Sequence, residues 1–121
     1  MSFINLLRRA LERSPEPVTE AEVLHDVQQG YTTVFADDEA ILLAQIIEHG
    51  DGSKTGHCWL ASGDMEKLVN KIRPEAERWA RQAGASRVTI EGRKGWVRAL
   101  KDVGYSEQSV TLVKDLTDGQ E

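Results

Sequence analysis

The sequence predicts a single α/β domain in which a mixed, mostly antiparallel sheet carries helices on both faces. The chain has 121 residues, of which 40% are hydrophobic and 29% charged, values typical of one globular domain with its own core. Short β-rich segments separated by turn residues fill the middle of the chain, and amphipathic helical patterns flank them. Its last part reads strand, helix, strand, the order of a parallel crossover, which together with an antiparallel series indicates a mixed sheet.

Composition excludes several classes of function. The net charge of -5 argues against broad binding to nucleic acid phosphates, which requires a basic surface. No apolar run approaches the length of a membrane span, and the first residues lack the layout of a secretory signal. Cys58 is the only cysteine, so no internal disulfide can form. We therefore expect a soluble intracellular protein.

The chain begins with apolar residues at helical spacing, and its first charged residues lie largely on another face. The apolar positions are Phe3, Ile4, Leu7, Ala10 and Leu11. Pro15 and Pro17 end this helix and form a stiff spacer. We therefore divide the chain into a docking helix with its spacer (1–17), a domain (18–116) and a flexible polar tail (117–121). The alternative is an ordinary helix that packs on its own domain.

The second helix has a strong start signal, because Thr19 and Glu22 have the spacing of a capping box. Gly30 ends it. Strands are predicted at 31–36, 40–47 and 55–61, the second of them apolar on both faces as in a covered sheet. The acidic pair Asp37 and Asp38 lies between the first two strands, and we interpret it as a solvated turn.

The neighbours His57 and Cys58 cannot form a nucleophile pair, because consecutive strand residues point to opposite faces. This alternation places Trp59 with His57 on one face and Leu60 with Cys58 on the other. We expect Cys58 in the core and His57 at the solvent or in a cleft. His25 has no cysteine or second histidine at ligand spacing, so no metal site is predicted.

The longest amphipathic pattern covers residues 64–83, with Asp64 as the N-cap and Pro74 as a kink. A strand (86–91), a helix that starts at Trp96 and ends at Gly104, and a last strand (109–116) follow. Between the strand and the helix lies a basic glycine turn, which is a candidate anion site at a helix N-terminus. The turn consists of Gly92, Arg93, Lys94 and Gly95. The favoured alternative is a turn that only lets Trp96 pack.

From Thr19 to Leu116 the chain resembles the GCN5-related N-acetyltransferase (GNAT) fold, and in particular small GNAT-like proteins of phages and prophages. The patterns that carry the resemblance are Trp59-Leu60-Ala61-x-Gly63-Asp64, Trp79-Ala80, and Gly92-Arg93-x-Gly95-Trp96-x-Arg98-x-Leu100 before Gly104-Tyr105. The resemblance implies two early helices, an antiparallel three-strand meander, a long helix, a strand, a shorter helix and a last strand. The family's usual first strand is replaced here by a helix.

Two departures from the family bear on function. Active members carry an Arg/Gln-x-x-Gly-x-Gly/Ala loop before the long helix, which binds the pyrophosphate of acetyl-CoA through backbone N–H groups. The residues at this junction, which would contact acetyl-CoA if it binds, are Leu60, Ala61, Ser62, Gly63, Asp64 and Met65. They include one glycine, no arginine or glutamine, and with Glu66 two carboxylates. The family's tyrosine general acid is matched by Leu100, which has no proton to donate.

The resemblance and its departures together imply a non-catalytic GNAT-like protein with a structural or adaptor role. We expect no cofactor, no catalytic residue, and partners that are other copies of the chain or components of a phage assembly. The protein would then be found in the host cytoplasm or in the virion. The alternative is an acetyl-CoA-dependent N-acetyltransferase with an altered cofactor loop.

Overall fold

A computed structural model describes residues 3–13, 17–91, 94–109, 111, 112, 114 and 116 of the chain. Five α-helices and four β-strands are assigned within these residues. In chain order they are α1 (Phe3–Arg13), α2 (Glu20–Gln28), β1 (Thr33–Ala36), β2 (Ala40–Glu48), β3 (Lys54–Gly63), α3 (Met65–Lys67), α4 (Arg73–Gln82), β4 (Arg87–Ile90) and α5 (Lys94–Lys101). A π-helical turn, Leu68–Ile72, joins α3 to α4, and residues 65–82 are called the long helix below.

The four strands form one mixed sheet in the order β1-β2-β3-β4. The first three strands are antiparallel neighbours, as a meander with short connections requires. β4 lies parallel to β3, with pairs running from Thr55 and Arg87 to Cys58 and Ile90. The predicted mixed, mostly antiparallel sheet is therefore confirmed.

The sheet separates two hydrophobic clusters, one on each face. The α1 cluster consists of Leu6, Leu7, Ala10, Val23, Ile41, Leu43 and Leu60. The long-helix cluster consists of Ala40, Leu42, Ala44, Cys58, Leu68, Ile72 and Ala76. Successive residues of β2 alternate between the two clusters, which explains why this strand is apolar on both faces.

A β-bulge in β3 changes which side chains lie on each face of the sheet, compared with the prediction from the sequence. The register shifts between Leu43 and Ala44 of β2, which pair with Leu60 and Cys58, so Trp59 is the extra residue. An extra residue reverses the alternation beyond it. Leu60 therefore lies in the α1 cluster together with Trp59, not on the face of Cys58 as the sequence predicts.

The prediction of a docking helix held apart from the domain is wrong. Leu7 is completely buried in the α1 cluster, together with Leu6 and Ala10. Phe3 and Leu11 pack against the same cluster, and Ile4 is half-buried. The apolar stripe is thus covered by the chain's own sheet, and residues 14–16 of the predicted spacer lie outside the described residues.

The long helix is interrupted before Pro74, near the predicted kink. In a π-helical turn the N–H of a residue donates to the carbonyl five residues earlier, which for Pro74 is that of Val69. Pro74 has no N–H and cannot make this hydrogen bond. The side chain of Arg73 supplies the missing donor, with Nε 2.8 Å from that carbonyl oxygen. The helix therefore continues past the proline with its backbone satisfied, and the apolar stripe stays on the sheet.

The last predicted strand, 109–116, is not found among the described residues. Ser109, Thr111, Leu112, Lys114 and Leu116 belong to no strand and are exposed. A strand needs a neighbouring strand for its ladder of hydrogen bonds, and no described strand lies against this segment. Val110, Val113, Asp115 and the tail 117–121 lie outside the described residues.

Candidate functional site

The site to which the sequence draws attention lies beyond the end of the pairing between β3 and β4. The two strands pair as far as Cys58 and Ile90, and the N–H of Glu91 donates to the carbonyl of Cys58 at 3.0 Å. β3 then continues to Gly63 without a β4 partner and leads into the long helix. This places the predicted junction residues beyond the last β3–β4 pair and directly before the N-terminus of the long helix.

The N–H groups at the start of the long helix are partly used by the protein itself. The Asp64 carboxylate accepts a hydrogen bond from the backbone N–H of Glu66 at 3.1 Å, which confirms Asp64 as the N-cap. The N–H of Asp64 donates to the carbonyl of Glu39 at 2.9 Å. Two donors that an anion would need are therefore already bonded.

Gly63 brings the turn between β1 and β2 against this helix start. It has φ +113°, and a Cβ built there would overlap the carbonyl oxygen of Glu39 and come within 2.6 Å of the Ala40 Cα. Only glycine combines that φ with that proximity. The single glycine of the junction thus serves close packing of two backbones.

The turn carries acidic side chains that neutralise two lysines of the long helix. Asp37 Oδ1 accepts from the backbone N–H groups of Glu39 and Ala40 at 2.8 and 2.9 Å, and Oδ2 lies 3.2 Å from Lys71 Nζ. The Glu39 hydrogen bond, and to a smaller degree Lys71, hold the pKa of Asp37 below its ordinary value. Lys67 lies 3.8 Å from a Glu39 carboxylate oxygen. Asp37 is therefore an ordered, half-buried residue, which corrects the prediction of a solvated pair.

The position that the resemblance assigns to a proton donor is apolar and buried, because Leu100 is 4% exposed. Tyr105 lies nearby, and its backbone N–H donates to the Leu100 carbonyl at 3.2 Å. Its hydroxyl donates to Glu77 at 2.8 Å, and the same carboxylate is 2.7 Å from Arg73 Nη1. Burial, followed by the bond to Glu77, raises the pKa of Tyr105 far above its ordinary value, so the phenol keeps its proton.

His57 and Cys58 face opposite sides of the sheet, as the sequence predicts. His57 Nδ1 is 2.6 Å from Thr89 Oγ1, and Nε2 is 2.9 Å from Glu91 Oε1, so the ring connects β3 to β4. Burial, followed by the charge of Glu77, raises the pKa of the Cys58 thiol to about 12. The sequence analysis missed the two partners of His57, although the alternation of β4 puts Thr89 and Glu91 on one face.

The remaining site predictions are only partly covered by the described residues. Gly92 and Arg93 of the candidate anion site lie outside them, α5 begins at Lys94, and Gly95 is exposed. Among the residues that the structure describes, no three His, Cys, Asp or Glu side chains are grouped so that they could hold a metal ion. None of the described helices is long and apolar enough to cross a membrane.

Comparison with solved structures gives the class of fold. An acetyltransferase from Trypanosoma brucei aligns over 93% of this chain and 89% of its own, with a TM-score of 0.66 and 16% identity. Glucosamine-6-phosphate N-acetyltransferase from Arabidopsis thaliana aligns over 93% and 88%, with a TM-score of 0.67 and 16% identity. A predicted acetyltransferase from Clostridium acetobutylicum, solved with acetyl-CoA, aligns over 93% of this chain and 86% of its own, with a TM-score of 0.65 and 10% identity.

These similarities show that the chain has the GNAT-like fold of known acetyltransferases. No protein-family model matches the sequence, and no curated protein sequence does. At this level of identity the fold is shared, but a fold does not determine an activity. The chemistry of the site has to decide between the two functions that the sequence leaves open.

Proposed function

We propose that this chain is a non-catalytic GNAT-like protein that acts by being bound, in a structural or adaptor role. The observation that carries the proposal is the start of the long helix, where Asp64 occupies the N–H of Glu66 with its own carboxylate. A helix N-terminus binds a phosphate through free N–H groups and a positive local potential. Here one of those groups is capped from within the chain by a negative charge.

The electrostatics around the helix start support the same conclusion. Asp64 and Glu66 are both exposed there, so they would face an incoming pyrophosphate with like charge. The two lysines of the next turns point instead toward the turn between β1 and β2, where Asp37 and Glu39 neutralise them. An anion would therefore meet two carboxylates and no unpaired cation at this junction among the described residues.

Proton transfer also lacks the group that the resemblance would require. The buried Leu100 has no acidic proton, and the hydroxyl of Tyr105 is held by the carboxylate of Glu77. A general acid must reach the leaving group and release its proton near neutral pH. Tyr105 meets the second condition poorly, because its raised pKa strengthens its hold on the proton.

Calorimetric titration with acetyl-CoA at low salt tests this proposal. We expect a dissociation constant weaker than about 1 mM, and no acetylated product from a panel of amines. The matched variant Asp64→Gly frees the Glu66 N–H and removes one negative charge, so it should bind acetyl-CoA more tightly than the parent chain. A micromolar dissociation constant for the parent chain, with transfer to any amine, would contradict the proposal.

The second candidate function is an acetyl-CoA-dependent N-acetyltransferase with an altered cofactor loop. It is favoured by the position of the junction directly before the N-terminus of the long helix, and by the acetyltransferases that share the fold. The same titration, followed by an assay for free CoA in the presence of amines, decides between the two.

The partner belongs to the proposal as well. The resemblance to small phage and prophage proteins supports a role in a phage assembly, in the host cytoplasm or in the virion. Mass spectrometry of particles purified from a host that carries the gene would test the location. Detection at a constant number of copies per particle is the expected result, and absence from the particles would restrict the role to the cytoplasm.

A further inference from the structure

An open crevice lies between α4, β4 and the segment that follows α5. Its volume is about 550 Å³, and small-molecule sites commonly measure about 300–1,000 Å³. The half-buried Val88 and Val103 contribute an apolar lining, and Arg81 and Arg87 contribute two guanidinium groups. None of the residues that line it belongs to the junction 60–66, so the crevice is a separate place in the fold.

The guanidinium of Arg87 is held at the crevice by two neutral groups. Its Nε donates to Thr55 Oγ1 at 3.2 Å, and its Nη1 donates to Gln108 Oε1 at 3.3 Å. Thr55 is only 3% exposed, so one of the two anchors belongs to the interior. Among the described residues no carboxylate forms an ion pair with this guanidinium. Its positive charge is therefore held in position but not neutralised.

The second guanidinium, that of Arg81, also lacks an ion pair among the described residues. Of the described residues that line the crevice, Glu77 is the one with an acidic side chain. Its carboxylate is 2.7 Å from Arg73 Nη1 and accepts from the Tyr105 hydroxyl at 2.8 Å, so its charge is already balanced. The crevice is therefore locally positive, although the chain has a net charge of -5.

We propose that this crevice binds a small organic phosphate. The phosphate is bound by Arg81 and Arg87, and the apolar part of the ligand lies on Val88 and Val103. Guanidinium groups bind phosphate oxygens through charge-assisted hydrogen bonds, and a phosphate monoester carries close to two negative charges near neutral pH. The exposed hydroxyl of Ser106 offers a further donor. The inference goes beyond the proposed function, because it requires neither acetyl-CoA nor a protein partner.

Calorimetric titration of the intact chain at low salt tests the chemistry of the ligand, with phenyl phosphate as the probe. We expect one site per chain with a dissociation constant below about 1 mM. Benzyl alcohol, a neutral molecule with the same ring, should not bind. Inorganic phosphate should bind at least about fivefold more weakly, because it buries no apolar surface on the two valines. Absence of phenyl phosphate binding, or equal affinity for either of the other two probes, would overturn the inference.

Removal of one charge at a time tests the location. Arg81→Met and Arg87→Met should each weaken the binding of phenyl phosphate at least about fivefold, the scale of an exposed ion pair. Arg78→Met is the matched control, because Arg78 is exposed on the same helix and does not line the crevice. The exposed Arg81 forms no side-chain hydrogen bond to the described residues, so Arg81→Met should keep the melting temperature of the parent chain.

Two results would contradict this location. Unchanged binding by Arg81→Met would remove the crevice as the site, and an equal loss in Arg78→Met would show that the anion responds only to overall charge. The variant Asp64→Gly, which should change the affinity for acetyl-CoA, should bind phenyl phosphate as the parent chain does. The crevice and the proposed function are therefore tested separately.

Discussion

At the scale of the single residue, Gly63 decides how the helix start meets the sheet. We expect Gly63→Ala to lower the free energy of unfolding by at least about 2 kcal/mol, because φ +113° and overlap with the Glu39 carbonyl both oppose a Cβ. Urea denaturation measures the loss. Gly50→Ala is the matched control, since a Cβ there has no atom within 4 Å. Equal stability of the two variants would show that the close approach of the two backbones is not needed.

Cys58 makes stability depend on alkaline pH. The unfolded thiol ionises near pH 9, whereas burial keeps the folded thiol protonated until its pKa of about 12. The folded pKa is raised, so the contribution of Cys58 to the unfolding free energy is constant below pH 9 and falls as the pH rises toward 12. We expect Cys58→Ala to flatten this decline in denaturation curves measured across that range. The pKa of Tyr105 is also raised, so the unfolding free energy of the Cys58→Ala variant should still decline above about pH 10. The further substitution Tyr105→Phe should remove this remaining decline.

At the scale of the element, the interruption of the long helix depends on Arg73. Its Nε satisfies the Val69 carbonyl that Pro74 cannot, and its guanidinium pairs with Glu77, with both side chains at least four-fifths buried. We expect Arg73→Met to cost about 2–4 kcal/mol, because it leaves a buried carboxylate and a carbonyl short of donors. Chemical denaturation measures the cost.

Arg78→Met is the matched control, because this arginine is exposed on the same helix and should change stability by less than about 0.5 kcal/mol. If both variants lost the same amount of unfolding free energy, the effect would come from helix propensity and not from the side-chain contacts before the proline.

At the scale of the whole molecule, α1 and the sheet form one cooperative core. We expect Leu7→Ala to lower the unfolding free energy by about 2–5 kcal/mol, the range for emptying a fully buried leucine site. The transition should remain single, with far-UV and near-UV circular dichroism changing together. Val97→Ala, at a half-exposed position of α5, should cost less than about 0.5 kcal/mol. An unchanged midpoint for Leu7→Ala would restore the docking hypothesis.

The shared fold of the whole molecule does not by itself establish a shared chemistry. The backbone provides a strand that leads directly into a helix N-terminus, within a fold shared with known acetyltransferases. The side chains at that helix start include Asp64 and Glu66, which are exposed, and Leu100 of α5 is buried. These few positions are the basis of the proposed role in binding.

The sequence alone predicted four helices and five strands, and the described residues contain all of them in the predicted order except the last strand. Periodicity predicted the helices and the strands of the meander, and local chemistry predicted the Thr19 and Asp64 caps, since a cap needs only the residues that adjoin it. The sequence also predicted the two carboxylates at the junction, Asp64 and Glu66, and the leucine at the proton-donor position, Leu100, because the identity of a side chain does not depend on the fold.

Only the tertiary structure decided which surfaces meet. The bulge at Trp59 moved Leu60 to the other face, because the pairing with β2, and not the pattern of β3, sets the register there. The helix α1 became part of the core, since a stripe such as that around Leu7 shows that a cover is needed but not which surface supplies it. The segment 109–116 has the pattern of a strand, yet a strand forms only against a partner, and its described residues have none within this chain.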